Sequence, residues 1–119
     1  MLNLAVIDDN RGIRVALKRL LGASGHHVST FSSAEDFLSH DVSADCLIVD
    51  VRLPGLSGLQ LEERLRASGS ITPIVFMTAQ SDAVARRVPS AVPRFCLPKP
   101  FDEDGLLTAI SDALTLKLG

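Results

Sequence analysis

A chain of 119 residues, 46% of them apolar and with a formal net charge of −2, is long enough for one domain built on one core. The charge balance excludes the electrostatic footprint of a nucleic-acid binder, and no apolar stretch is long enough to span a bilayer. No secretory leader precedes the first apolar run, so a cytoplasmic location is expected. Cys46 and Cys96, each inside an apolar run, read as reduced, buried small hydrophobes rather than as a disulfide or metal pair.

The first strand is expected over Leu2–Ile7 and ends at Asp8 and Asp9. A helix over Asn10–Leu21 follows, with Ile13, Ala16, Leu17, Leu20 and Leu21 on one face, and Gly22 and Gly25 are expected to end it. Val28–Phe31 is a shorter, more polar strand suited to an outer position. Ser33 can cap a short helix that turns Phe37 and Leu38 inward. Cys46–Val49 is the third strand, closed by Asp50, and Arg52-Leu-Pro-Gly-Leu-Ser-Gly58 is a turn-rich loop. The third helix spans Gly58–Ala67, with Glu62 and Arg66 four apart. The fourth strand, Ile74–Met77, is closed by Thr78. Asp82 could cap a further helix from Ala83, but Pro89 and Pro93 interrupt it. The fifth strand is Arg94–Leu97, and the last helix opens at Asp102 or Glu103 with an apolar stripe of Leu106, Leu107, Ile110, Ala113, Leu114 and Leu118.

Short apolar runs alternating with helices describe a buried parallel sheet. Right-handed crossovers then make an α/β (βα)5 doubly wound domain over residues 1–119, for which the flavodoxin-like strand order 2-1-3-4-5 is expected. Ligands of such sheets bind beyond the carboxyl ends of the strands, where strand order reverses. Asp8, Asp9, Asp50, Thr78 and Lys99 all follow strand ends, and neighbouring strands are only about 4.8 Å apart. Three crowded acids call for a cation; the hydroxyl and the lysine call for an anion beside it. Magnesium, a hard ion that combines one or two carboxylates with water and phosphate oxygens, suits the set better than zinc or calcium. The arrangement supports phosphoryl transfer to an Asp50 oxygen, with Lys99 and Thr78 on the phosphate.

Val6-Ile-Asp-Asp-Asn10, Leu47-Ile-Val-Asp-Val-Arg-Leu-Pro-Gly-Leu-Ser-Gly-Leu59, Met77-Thr-Ala79 and Lys99-Pro-Phe101 occur in this order. Through them the chain resembles the receiver domain of bacterial two-component response regulators over essentially all of its length. The resemblance implies that Asp8, Asp9, Asp50 and the backbone carbonyl of Arg52 hold Mg2+. It implies that Asp50 accepts a phosphoryl group from the phosphohistidine of a sensor histidine kinase, that Thr78 and Lys99 bind the phosphate, and that Lys99-Pro100 is cis. A receiver takes part in its own phosphorylation and dephosphorylation and is not otherwise an enzyme. The Pro-Gly-Leu-Ser-Gly loop looks most like receivers that precede helix-turn-helix DNA-binding domains. The output would then be homodimerisation, or control of a C-terminal effector domain, through the face made by the helix before the fifth strand, that strand and the last helix. No direct nucleic-acid or membrane contact by this chain is expected.

Each residue also has a plainer reading. Asp9 could cap the first helix, Asp50 could be a loop acid, Thr78 could satisfy local backbone and Lys99 could be a surface lysine; their joint occurrence argues against all four. His26, His27 and His40 lie away from the strand ends and are bystanders. The competing function is a protein-interaction module of the same fold with little dependence on phosphate. A small-substrate aspartyl-phosphate hydrolase is disfavoured by the lack of a cap and of paired aspartates two apart, and flavin binding by the lack of a phosphate-cradling loop after the first strand. One departure favours the interaction module. Receivers usually carry an aromatic three residues before the lysine, whereas Cys96 stands there and Phe95 one residue earlier. Alternation sends these two to opposite faces, unless a bulge restores Phe95. The interval from Thr78 to Lys99 is also one residue shorter than usual, and activation by ordering of Ala83–Arg94 is the expectation that follows.

Overall fold

The computed structural model describes residues 2–40, 42–78 and 94–118. Five parallel strands form one sheet: β1 (Asn3–Ile7), β2 (His27–Phe31), β3 (Cys46–Asp50), β4 (Ile74–Thr78) and β5 (Arg94–Pro98), in the order β2-β1-β3-β4-β5. Between them run α1 (Arg11–Ala23), α2 (Ala34–Ser39) and α3 (Gly58–Ala67), and the last helix is Glu103–Leu118. The expected Asp82 cap and the segment 83–93 lie outside the described residues. Among the described residues, no helix is long and apolar enough to cross a membrane.

The central strands are apolar on both faces because helices cover both. Leu4, Val6, Cys46, Ile48, Val75, Met77 and Leu97 pack against Leu17 and Leu21 of α1 and Leu106, Ile110 and Ala113 of the last helix. Alternate residues Ala5, Ile7, Leu47, Val49, Ile74 and Phe76 pack against Ala34 and Phe37 of α2 and Leu61 of α3. Parallel strands without a polar face are the signature of a two-sided sandwich of this kind. After β1 the chain moves outward to β2, then crosses back to place β3 on the other side of β1. The strand ends of β1 and β3 therefore frame the one crevice where crossovers diverge to opposite sides.

Local chemistry sets the helix starts. Asn10 caps α1, its Oδ1 accepting the Ile13 N–H at 3.1 Å, and Ser33 Oγ accepts the Asp36 N–H at 3.0 Å at the start of α2. Ser57 and Gln60 form a reciprocal capping box on α3. Asp102 Oδ1 accepts the Gly105 N–H at 2.8 Å at the start of the last helix.

Several sequence expectations need correction. Gly22 does not end the first helix: α1 continues to Ala23, Ser24 caps it, and Gly25 with φ +90° makes the exit. Leu38 is exposed while Phe37 is buried, since successive helical side chains point about 100° apart; Phe37 packs edge-on to Phe31, ring centres 5.3 Å apart. Cys96 is only partly buried, unlike Cys46, and the two lie on opposite faces of the sheet. Third, fourth and fifth strands each reach one residue further than their apolar runs, to Asp50, Thr78 and Pro98.

Candidate functional site

Asp8 sits just past β1 and is fully buried, yet every polar atom it offers is engaged. Its N–H donates to the Phe31 carbonyl at 3.1 Å, Oδ1 accepts the Asn10 N–H at 2.8 Å, and its carbonyl accepts Arg14 Nη1 at 2.8 Å. Oδ2 faces Lys99 Nζ at 3.4 Å. A buried carboxylate is tolerated only when paired and hydrogen-bonded in this way. Asp9, next in the chain, is exposed. It does not cap α1, a task that falls to Asn10.

Asp50 ends β3 with its Oδ2 at 3.3 Å from Lys99 Nζ and its Oδ1 accepting the Arg52 N–H at 3.2 Å. Asp8, Asp9 and Asp50 each offer a carboxylate oxygen, all within 4.8 Å of one another. Burial pushes the Asp50 carboxyl above its ordinary value, and Asp8 adds to the effect; the Lys99 ammonium and the Arg52 N–H oppose it without cancelling it. At Lys99, partial burial works against the charge, but Asp50 and Asp8 outweigh it and hold the ammonium above its usual range. Lys99 reaches the acids from β5 because its N–H is anchored on the Thr78 carbonyl at 2.7 Å, with the Lys99-Pro100 peptide cis.

Thr78 closes β4 almost wholly buried, and among the described residues its hydroxyl has no hydrogen-bond partner. An unsatisfied buried hydroxyl costs about 1–3 kcal/mol, which a ligand oxygen would relieve. Thr78→Val, which swaps the hydroxyl for a methyl, is expected to raise the stability of the ligand-free protein by about 1 kcal/mol in urea unfolding. An unchanged or lower midpoint would show that the hydroxyl is satisfied after all.

The loop from Val51 to Gly58 is held tightly. Gly58 N donates to the Val51 carbonyl at 2.9 Å, closing the base, while Val51 and Leu53 are buried in the core. A Cβ on Gly58 would stand 2.6 Å from the Asp50 carbonyl oxygen and 3.0 Å from Val51 Cα. Gly58→Ala should therefore destabilise the fold by about 1–3 kcal/mol, the usual cost of forcing atoms into packed backbone. Denaturant titration reads this directly, and a change under about 0.5 kcal/mol would mean that the loop yields freely.

The structure thus brings together Asp8, Asp9, Asp50 and Lys99, sets Thr78 at the end of the strand beside Asp50's own, and joins Arg52 to Asp50 through its N–H rather than through the carbonyl expected at the metal. Asn10, Arg14 and Gly58 support the site without having been assigned a role there from the sequence; Asn10, inside Val6-Ile-Asp-Asp-Asn10, and the glycine, inside Pro-Gly-Leu-Ser-Gly, lay in visible motifs, whereas Arg14 carried no signal. The three histidines stay away from the carboxyl ends of the strands: His27 opens β2 at its amino end, His26 Nδ1 accepts the Leu2 N–H, and His40 Nδ1 lies 2.8 Å from the Asp36 carbonyl. On β5 the pairing with β4 is unbroken from Ile74↔Arg94 to Thr78↔Pro98, so no bulge shifts the register. Cys96, opposite Phe76, packs on the α2–α3 side of the sheet. The Phe95 side chain lies outside the described residues.

The donor set fits a small hard divalent cation: oxygen ligands alone, three of them carboxylates converging at an exposed edge. Beside Lys99 opens an apolar groove of about 440 Å3 lined by Ile13, Ala16, Leu17, Lys99, Pro100 and Phe101.

Comparison with known proteins identifies the fold and the family. The family described as "Response regulator receiver domain" matches residues 4–111. The transcriptional regulatory protein TdiR of Thauera aromatica is 40% identical over 115 residues, which cover 93% of this chain and 50% of TdiR. Full-length FixJ from B. japonicum superposes with a TM-score of 0.85 at 34% identity over 95% of this chain and 57% of that one. TrrA of Thermotoga maritima, crystallised with Mg2+ and beryllofluoride, superposes with a TM-score of 0.83 at 28% identity over 96% of this chain and all of its own. The chain spans about half the length of the regulators TdiR and FixJ.

Proposed function

The chain belongs to the response regulator receiver family, and from that premise we propose that Asp50 is its phosphoacceptor, with Mg2+ held by Asp8, Asp9, Asp50 and the Arg52 carbonyl. The observation that carries this reading is the position of Lys99 Nζ, 3.3 Å from Asp50 and 3.4 Å from Asp8, beside a three-carboxylate cluster. Cation and anion requirements meet at one carboxylate.

The donor is the phosphohistidine of a sensor histidine kinase. An Asp50 oxygen attacks phosphorus in line, the phosphorus–nitrogen bond breaks, and an acyl phosphate remains on Asp50. Bound Mg2+ supplies charge neutralisation for the phosphoryl oxygens. Lys99, already ammonium and already placed, moves from its carboxylates to a phosphate oxygen, and the Thr78 hydroxyl gains the acceptor it lacks. Arg52 N–H keeps Asp50 Oδ1 oriented throughout. A protein donor needs a surface next to Lys99, and the groove between Ile13 and Phe101 adjoins it.

As residues 1–119 form the receiver unit of a regulator, the output is homodimerisation or control of a C-terminal DNA-binding effector domain. The names of the relatives support a transcriptional output. A second reading, an interaction module with little dependence on phosphate, has one observation in its favour: Cys96 and not an aromatic occupies the switch position, in an unbroken ladder.

Two-dimensional amide spectra with Mg2+, before and after beryllofluoride, test the proposal. Resonances of Asp8, Asp9, Asp50, Arg52, Thr78 and Lys99 should shift on addition of the phosphoryl mimic. Silence at these positions removes the phosphoacceptor reading; a shift confined to them, with none in β5 or the last helix, favours the second.

A further inference from the structure

Glu35, in the first turn of α2, stands apart from the acids of the site, and no function described so far uses it. Its Oε2 accepts the Leu56 N–H at 3.2 Å across a sequence separation of 21 residues. The same carboxylate lies against the Cα of Gly55, where a Cβ would run into Oε2 and also stand 3.0 Å from Cδ. Gly55 has φ +74°, a conformation that few residues other than glycine adopt. Glycine here meets two demands at once: the turn, and the close approach of Glu35.

The consequence lies at the other end of the loop. Val51–Gly58 is fixed at its base by the Gly58 N–H on the Val51 carbonyl and in its middle by buried Leu53. Glu35 fixes the tip. Arg52 lies between base and middle; its N–H orients Asp50 Oδ1 and its carbonyl is the one backbone ligand in the proposed metal site. A carbonyl on a loop is a good ligand only if the loop does not swing, since displacement of about 0.5 Å already degrades a coordination site. Groups behind the ligands set their orientation.

We propose that Glu35 is a positioning residue for the metal site, holding the Val51–Gly58 loop through the Leu56 N–H so that the Arg52 carbonyl and Asp50 stay in place for Mg2+. The inference rests on the metal-dependent phosphoacceptor reading above. Because Glu35 is exposed, its replacement removes a tether without opening the core. Glutamine keeps an oxygen acceptor at the same reach; alanine keeps none.

Mg2+ alone is titrated into wild type, Glu35→Gln and Glu35→Ala while amide shifts are followed, and acetyl phosphate labelling is then measured as a function of Mg2+. Glu35→Ala should raise the Mg2+ concentration for half-saturation about three- to ten-fold, the range of one ordinary hydrogen bond. Its labelling rate at saturating Mg2+ should stay near wild type, and its thermal midpoint should fall by about 2–6 °C, the scale of one ordinary hydrogen bond in a domain of this size. Glu35→Gln should restore most of the affinity. Wild-type Mg2+ dependence in Glu35→Ala overturns the inference, and so does a glutamine variant as impaired as alanine, because the acceptor would then not be what matters. A wild-type protein that neither binds Mg2+ nor labels on Asp50 would instead remove the phosphoacceptor reading on which the inference stands.

Discussion

Incubated with acetyl phosphate and Mg2+, the chain is expected to gain the mass of one phosphate, and Asp50→Asn is expected to gain none. The expectation is all-or-none because the substitution removes the nucleophile itself. Asparagine keeps the shape and can still accept the Arg52 N–H that Asp50 Oδ1 accepts at 3.2 Å, but an amide oxygen is too poor a nucleophile to form a stable acyl phosphate. Asp8 does not take over. It is fully buried, and its Oδ1 is committed to the Asn10 N–H at 2.8 Å. Asp9, although exposed, lacks the pairing with Lys99 that Asp8 and Asp50 share. Intact mass followed by peptide mapping checks the result. Label retained at full level in Asp50→Asn, on Asp8, Asp9 or any other residue, would refute the assignment.

Much of this was legible in the sequence because the site lies at strand ends, and strand ends are where apolar runs stop. Asp8 after Leu4-Ala-Val-Ile7, Asp50 after Cys46-Leu-Ile-Val49 and Thr78 after Ile74-Val-Phe-Met77 are each marked by a change from apolar to polar. The order β2-β1-β3-β4-β5 is the common flavodoxin-like one for such a domain; crossover handedness and two-sided burial restrict the choice without fixing it. Contacts between residues distant in sequence were invisible. Nothing in Ser33-Ala-Glu-Asp36 announces that Glu35 will meet Leu56, and no periodicity predicts the Arg14 guanidinium on the Asp8 carbonyl. Short elements were also misjudged. The six-residue α2 buries Phe37 but leaves Leu38 exposed, and an apolar run containing Cys96 does not guarantee its burial at the β5 edge of the sheet. The expected ordering of Ala83–Arg94 on activation falls on residues 83–93, which lie outside those the structure describes.

Without divalent metal the cluster should weaken the fold, and Mg2+ should reverse this. The Asp50 carboxyl is raised by burial first and by Asp8 second, so its ionised form is less favourable in the folded chain than in the unfolded one. The stability this group contributes is fully present below its unfolded pKa and is lost as pH rises through the raised folded pKa. At neutral pH in EDTA the wild type therefore carries the deficit, and Asp50→Asn should melt about 3 °C higher. Lowering the pH from neutral into the range of the raised carboxyl should narrow that gap. If Mg2+ binds the folded cluster as proposed and not the unfolded chain, at ten times its dissociation constant it should add ~1.4 kcal/mol to the wild type, a rise of about 5 °C. Asp9→Ala removes one of the three converging oxygens and should abolish the Mg2+-dependent rise while cutting labelling about a hundred-fold or more, the scale of losing metal neutralisation of the phosphoryl oxygens. Being exposed, Asp9 adds little to the deficit, so the metal-free gain should belong to Asp50→Asn rather than to Asp9→Ala. Thermal melts of the three proteins in EDTA and in millimolar Mg2+ separate these outcomes. A wild type indifferent to Mg2+, together with normal labelling of Asp9→Ala, would place the metal elsewhere.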